Sequence, residues 1–570
     1  MVYSNQRRKM LGAFYTPQLL ADYLASTMLS LSKQDDKKQY CVVDPATGDS
    51  SLLLAFYKQA SKRKMGVLYF GIDIEDGAIQ ESKKKFANFQ EKSNFVLTDA
   101  LYPLNMETPQ KGWDSLMHKY LPNGIDFIIS NPPWGADKSK YKKLSDDFIT
   151  AKGQFDIYDL FIETAINNLN INGYYGIIVP DSIFGAEHSL IRKFLLENTT
   201  IKKIIRIGEG FFDNVNIAVS LLIGVKVKSS KYSIQCSHLT DKHRKLVLAN
   251  KMELSLAVEQ NLIKVPAKVM VDNSNSFLTD LAAKDVDLIN RLNKCLSVGE
   301  ISVSHRGVEL SKKGIVFRCS NCGKWFPEPK KNNEITCPHC KKIQLWDNVE
   351  SCKIISDKAS NNSIKFISGD TIYRYNTKST LYLKKGYDGI NYKTEQLYEG
   401  AKILVRKTGV GITAGIDYGG CYTNQVVYLL RTASHVNPLI SNEVLLAVLN
   451  SRLITYYIIK IHGSNGWKSH AYLTQKDVAS LPFPRLNIED AEVKRQLEEL
   501  TALVKQNAIG MSDSFPMEVD VKIEKIVANL FGLNESHYDV IFKAIENVQQ
   551  MIPYKRLLRI KIKDIFKDGI

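Results

Sequence analysis

A chain of 570 residues is longer than one compact core usually organises, which excludes a lone small module and predicts two or three domains. Its composition is 44% hydrophobic and 24% charged, with no apolar run of bilayer length and no signal-peptide core ahead of Gly12, so a cytoplasmic protein with no membrane partner is expected. Lysine and arginine number 76 against 60 aspartates and glutamates, a formal net charge of +16 that favours a polyanionic partner, nucleic acid first, over a merely basic soluble protein.

Over the first 230 residues short apolar runs alternate with longer amphipathic stretches, the pattern of a parallel sheet with crossover helices. The spacing predicts strands at 41–43, 67–72, 95–97, 127–130, 175–179, 204–207 and 218–225, and helices at 17–32, 50–62, 78–90, 157–169 and 189–198. Residues 1–230 therefore read as an α/β domain. Beyond them the rhythm fades into polar stretches such as 330–333 and 360–363, and a second, mixed α+β domain is expected over 231–485. From 486 onward the pattern is helical and charged, with candidates at 492–505, 519–531 and 537–549. The last of the chain, from Lys555 to Lys567, is basic, as either a DNA-side helix or a solvated tail.

The fourth predicted strand runs into Asn131-Pro132-Pro133-Trp134. An exocyclic amine on a nucleobase is a poor nucleophile because its lone pair is delocalised into the ring. The Asn131 side-chain oxygen and the Pro132 carbonyl can accept its two hydrogens and favour the pyramidal nitrogen that attacks a methyl group. Two prolines hold those acceptors in place, and Trp134 offers a face for stacking. The plain alternative is a Pro-Pro turn with Trp134 in the core.

A methyl donor needs a site upstream. Asp44-Pro45-Ala46-Thr47-Gly48-Asp49-Ser50 is an acidic turn after the first strand, where open α/β sheets bind ligands. It lacks both the dinucleotide glycine spacing and the P-loop lysine, so a cationic, phosphate-free nucleoside fits it better than a phosphate. Asp73 closes the second strand, where an acid takes ribose hydroxyls in dinucleotide folds, and Asp99 closes the third, near where an adenine amine would lie. Each acid alone is equally well a cap or a solvated strand end; four consecutive strand ends bearing Asp44, Asp73, Asp99 and Asn131 are not so easily set aside.

In this order, preceded by Gly12-Ala13-Phe14-Tyr15-Thr16-Pro17 and followed by a long C-terminal region, these motifs resemble the gamma-class, Taq-like DNA adenine-N6 methyltransferases. The resemblance implies a Rossmann-like catalytic domain that uses S-adenosylmethionine, a target-recognition domain, and double-stranded DNA as partner. It implies Tyr15, Thr16, Asp44, Ala46 and Gly48 at the methionine moiety, Asp73 at the ribose, Asp99 at the adenine, and Phe161 beside the adenine ring. It also implies Asn131, Pro132, Pro133 and Trp134 as the catalytic segment, with Trp134 and Phe212, the latter preferred to Phe211, stacking on the target base. The sequence departs from the family in carrying Trp134 where tyrosine is usual and Asp49-Ser50 where a second glycine is usual.

Nine cysteines are too few for a disulfide framework, but Cys319-x-x-Cys322 and Cys337-x-x-Cys340 stand fourteen residues apart, near the spacing of a tetrahedral zinc ribbon. A redox dithiol would need a thioredoxin-like βαβ setting, which the sequence around them lacks. One structural Zn2+ in a ribbon at about 312–346 is expected. Farther on, 403–409, 422–425 and 471–475 resemble the specificity domain of the same family. That resemblance makes Arg406 and Lys407 candidate DNA contacts and Tyr422, Thr423, Asn424 and Gln425 candidate readers of base edges. The polar segment 463–470, with Trp467 and His470, is a loop that could meet DNA. The expected activity is site-specific adenine-N6 methylation of duplex DNA within a restriction-modification system, with a separate cognate endonuclease as a further partner. Few residues precede Gly12, so no fused nuclease is expected. The rivals are an RNA or protein-glutamine methyltransferase and a DNA-binding specificity protein with a vestigial catalytic domain.

Overall fold

Strands buried on both faces read as continuous apolar runs, and they lie at the centre of the main sheet. In β1 (Tyr40–Asp44) and β4 (Ile125–Ser130) every residue is buried, whereas β3 (Ser93–Leu97), at the edge, buries only Phe95. The computed structural model describes residues 15–32, 39–89, 91–139, 141, 143–212, 217–229, 231–311, 313–329, 334–345, 349–462, 473–508, 515–548 and 551–567. The expectations for Gly12, Ala13, Phe14, Trp467, His470, Ala471 and Tyr472 lie outside the described residues.

The chain divides into two compact units, residues 1–286 and 287–570. The first is built on a nine-stranded sheet of order β3-β2-β1-β4-β5-β7-β6-β8-β9, adding β2 (Val67–Asp73), β5 (Leu169–Pro180), β6 (Thr200–Gly208), β7 (Val219–Val225), β8 (Ser233–His238) and β9 (Leu262–Pro266). Strands β1 to β5 pair in parallel. The unit's longer helices ahead of β6 are α1 (Gln18–Leu31), α2 (Ser51–Lys62), α3 (Asp76–Phe86), α4 (Pro109–Tyr120), α5 (Ile157–Asn168) and α6 (Ser189–Asn198).

The seven expected strands are all present, and two features differ from the expectation. The sheet is not purely parallel, because β7 inserts antiparallel between β5 and β6. It also continues past residue 230 through β8 and β9, so the first compact unit reaches residue 286. Helix α4, which the sequence pattern did not announce, starts on a Thr108 cap with Pro109 in its first turn and buries Gly112, Trp113 and Leu116.

The order reverses between β1 and β4, which places a crevice at their carboxyl ends. Asp44 ends β1 and Asn131 follows β4 directly.

In the second unit, one four-stranded sheet joins Ser302–Arg306, Val427–Thr432, Lys402–Arg406 and Ala414–Asp417, and another joins Ile355–Ser356, Leu381–Lys384, Ser363–Ile367 and Tyr422–Thr423. Between them in sequence lies a small ribbon: a three-stranded sheet of Ile315–Arg318, Trp325–Pro327 and Glu350–Lys353, and a hairpin of Ile335–Thr336 with Ile343–Gln344. The helical region is present as α9 (Ala491–Asn507), α10 (Met517–Leu530) and α11 (Glu535–Glu546), which follow the apolar α7 (Asn442–Leu449) and α8 (Arg452–Tyr457).

A buried ion network ties α8 to α10. The Arg452 guanidinium lies 2.9 Å from Asp520 and 2.9 Å from Glu524, Arg374 lies 2.7 Å from Asp520, and the Tyr538 hydroxyl donates to Glu524 at 2.9 Å. Burial would raise the Asp520 carboxyl, but Arg374 and Arg452 outweigh it and hold it at about 2. No single helix among the described residues is long and apolar enough to cross a membrane; α7 and the segment Arg452–Ile461 reach that length and apolar character only together, as a pair bent by 50°.

Candidate active site and metal centre

The turn after β1 is held by side chains from three other segments. The Asp44 carboxylate is 1% exposed and accepts from the Ala46 amide at 3.0 Å and the Ser130 hydroxyl at 2.9 Å, so β1 and β4 are tied at the point where the strand order reverses. Burial pushes this carboxyl up to about 7, against the lowering effect of those two donors, and the nearby Asp73 and Asp49 push in the same direction. Asp73, at the end of β2, accepts from the Gly48 amide at 2.9 Å and the Glu75 amide at 3.0 Å, and burial raises it as well. Asp99 accepts from the Leu101 amide at 3.0 Å and the Tyr141 hydroxyl at 2.8 Å.

The Asp49-Ser50 departure now has a geometry. Ser50 holds φ +62°, a left-handed conformation that favours glycine, just after Gly48 at φ +50°. Its hydroxyl lies 2.6 Å from that of Ser82 on α3 and 3.1 Å from that of Thr47, and Lys85 on α3 donates to the Asp49 carbonyl at 2.6 Å. Helix α3 thereby fastens the turn that a second glycine would otherwise relax. Thr47, Ser82, Lys85 and Tyr141 were not singled out from the sequence. Serine, threonine and lysine are common everywhere, and only their meeting in space gives them this role.

Asn131 faces the same turn. Its amide nitrogen donates to Thr16 Oγ1 at 3.1 Å. Tyr15, Thr16, Asp44, Ala46, Gly48 and Asn131 line one pocket, together with Thr47, Asp49, Ser51 and Leu52. The loop leaving this segment is pinned by Asp156, which accepts from the Gly135 amide at 3.0 Å while capping α5. The Asp156-x-x-Asp159 spacing ahead of an apolar helix is the sequence signal for such a cap.

Pro132 is buried and Pro133 half-buried, so the acceptor segment is fixed by both packing and ring geometry. Trp134 meets Phe212 edge to face, with ring centroids 5.2 Å apart and each residue 5% exposed. A base cannot lie between two rings already in contact, so this pair has to part to admit one. Phe161 is buried on α5 and does not line the pocket.

In the second unit the four cysteines come together. The Cys319–Cys340 and Cys322–Cys337 sulfurs are 3.6 and 3.8 Å apart, and all four lie within 4.8 Å of one another. A tetrahedron with Zn–S bonds of about 2.3 Å has edges of about 3.8 Å. Gln344 donates to the Cys319 sulfur at 3.2 Å, while its carbonyl accepts from the Ser320 amide at 2.8 Å. Burial would raise the Cys319 thiol, but backbone N–H groups of Cys322 and Asn321 outweigh it and bring it down to about 6. The Lys324 amide lowers Cys322, yet burial and the three neighbouring sulfurs prevail and push it up to about 11. Thiolates this close share negative charge stably only around a cation.

The expected DNA-side residues fare differently. Arg406 is half-buried and ion-paired with Asp370 at 3.4 Å, and Lys407 is half-buried at the end of the same strand. Tyr422, Thr423 and Asn424 are buried, so they belong to the core of this unit and not to a surface that reads bases; of that quartet Gln425 alone is exposed. Their polar character misled because strand polarity normally marks the solvent face.

Residues 1–272 match the N-6 DNA Methylase family, and residues 364–483 match the TaqI-like C-terminal specificity domain family. The chain is 24% identical over 275 residues to the Type II methyltransferase M.VspI of Vibrio sp. (strain 343), covering 45% of this chain and 62% of that protein. It is 27% identical over 249 residues to the Type I restriction enzyme MpnII methylase subunit of Mycoplasma pneumoniae, covering 40% of this chain and 43% of that one. It thus spans less than two thirds of the length of either relative. The Type IIL restriction-modification enzyme MmeI, solved in complex with DNA, shares the fold at a TM-score of 0.55 and 14% identity, over 98% of this chain and 80% of that one. The chain therefore carries, in sequence order, a region similar to N-6 DNA methylases and a region similar to TaqI-like specificity domains.

Proposed function

We propose that this protein is the modification enzyme of a restriction-modification system, a DNA methyltransferase that transfers a methyl group from S-adenosylmethionine to the N6 amine of an adenine turned out of duplex DNA. The observation that carries the reading is that Asn131 and the acidic turn after β1 line one pocket at the reversal of strand order. An amine-holding amide and a cation-accepting turn are thereby brought within reach of one small molecule.

The donor chemistry of the pocket fits the cofactor. Asp44, raised by burial, is stabilised in its charged form by a ligand ammonium; Asp73 and Asp99, which do not line the pocket itself, are the carboxylates assigned to the ribose hydroxyls and the adenine amine. Gly48 and Ala46 leave room beside the turn, and Tyr15 and Thr16 close its other side. When bound, S-adenosylmethionine supplies a methyl group on a sulfonium, which needs no metal-bound nucleophile.

The side-chain oxygen of Asn131 and the carbonyl of Pro132 accept the hydrogens of the target amine and localise its lone pair. Thr16 holds the other end of the Asn131 amide and so orients it. Trp134 and Phe212 part to receive the extruded base, which cannot reach the pocket while stacked in the duplex. The four cysteines bind one structural zinc ion: four thiolates close the tetrahedron and leave no position for an activated water.

Methyl transfer from labelled cofactor to mixed duplex DNA, to the same sequence as RNA, and to protein extract tests the reading. Label recovered as N6-methyladenine in the duplex is the expected result, and transfer to RNA or protein alone overturns it. DNA binding without cofactor binding would support a vestigial catalytic domain instead.

A further inference from the structure

The ribbon lies between the two family matches and is covered by neither. Over residues 312–353 it carries nine Lys or Arg against four Asp or Glu. Its two knuckles are built alike. In the first, the Cys319 amide donates to the Lys324 carbonyl at 2.9 Å and the Gly323 amide to the Cys319 carbonyl at 2.9 Å; in the second, the Cys337 amide donates to Lys342 at 3.0 Å and the Lys341 amide to Cys337 at 2.9 Å.

The equivalent positions differ in one respect. Gly323 holds φ +72° in the first knuckle, and Lys341 holds φ +62° in the second. A side chain in this region is strained where glycine is not, so the second knuckle keeps a lysine at a conformational cost that the first avoids.

Lys341 and Lys342 are exposed, and the short extended segment that follows them leaves two apolar side chains exposed. Ile343 and Leu345 are each 57% exposed on one face, while Gln344 between them points into the ribbon and holds the Cys319 sulfur. Two exposed aliphatic side chains are far too small a patch for a stable protein interface, and the lysines beside them call for an anion.

We propose that the tip of the second knuckle is a contact for duplex DNA, with Lys341 and Lys342 engaging backbone phosphates and Ile343 and Leu345 packing on the sugar edges of a groove. This rests on the reading of the protein as a DNA methyltransferase and assigns the ribbon a part in holding its substrate. The contact is to the backbone, so it adds affinity without reading sequence.

The test is the Lys341→Gly/Lys342→Ala double variant in the full chain. Glycine suits the left-handed position, so zinc content and cofactor affinity should remain those of the wild type. Duplex affinity should fall on the order of tenfold at low salt, and the slope of log K against log salt should shrink by about 1.8, which is about 0.9 for each of the two phosphates that the lysines no longer neutralise. The Ile343→Ser/Leu345→Ser variant should lose affinity several-fold with the slope unchanged. Wild-type affinity and slope in both variants overturn the proposal while leaving the methyltransferase reading intact. A wild-type protein that binds no duplex at all overturns that reading and this inference with it.

Discussion

The pocket after β1 and the cysteine ribbon are both polar clusters, yet they are assembled in opposite ways. The pocket collects Thr16, Asp44 and Asn131 from segments up to 115 residues apart, and depends on the sheet to bring them together. The ribbon closes its four sulfurs over 22 residues with two local turns and a five-residue apolar cluster of Phe317, Cys319, Phe326, Ile335 and Cys337. The first is stabilised by the core beneath it. The second has only this small apolar cluster of its own, which is why the proposed zinc ion would carry much of its folding free energy.

That contrast breaks most clearly on removal of zinc. Chelation should withdraw folding free energy on the order of 10 kcal/mol from the ribbon while cofactor affinity in the first unit stays unchanged. Metal analysis with limited proteolysis checks both halves, and a fully folded ribbon with no metal would contradict the assignment. Cys337→Ser should have the same direction of effect.

On the other side, Asn131→Ala should lower the rate of methyl transfer by on the order of 10²- to 10³-fold, as removal of one transition-state hydrogen-bonding partner does elsewhere. Zinc content and cofactor binding should stay near wild type, and calorimetry alongside a transfer assay separates the two. Near-normal turnover would remove Asn131 from the reaction. Asp73→Ala should weaken the cofactor by on the order of 1.5 to 3 kcal/mol through loss of a charge-assisted hydrogen bond. Because Asp73 also accepts from the Gly48 amide, some of that loss comes through the turn itself.

The smallest effect is one of pH. Asp44 sits at about 7, raised from 3.8 by burial, so a cationic cofactor binds best when this carboxyl has lost its proton. Affinity should therefore fall as the pH drops below about 7, by at most tenfold per unit, and level off above it. Folding responds with the opposite sign. A raised carboxyl favours the folded state at pH below about 4, and that contribution is lost as the pH rises from there through 7. Titration calorimetry from pH 5.5 to 8.5 gives the first dependence, and a flat profile would show that Asp44 does not meet the cofactor's charge.

Some of this was legible in the chain and some was not. The central strands were found because burial on both faces leaves an unmistakable apolar run, as in β1 and β4. Helix α4 was missed because Pro109 and Gly112 interrupt its pattern, although Gly112 packs where a side chain would meet Pro103. In the second unit the strands run from two to six residues, too short for alternation to register.

The motifs alone picked out the four cysteines that cluster, the acids at or just past three strand ends and the amide after β4, because each sits at a turn whose local geometry the neighbouring residues dictate. Tertiary structure alone decided what those groups touch. It made Thr16 a partner of Asn131, set Ser50 in a left-handed turn fastened by Ser82, buried Thr423 and Asn424, and carried β8 and β9 into the first unit. Contacts between residues distant in sequence depend on how the sheet packs, and no local pattern of side chains encodes that packing.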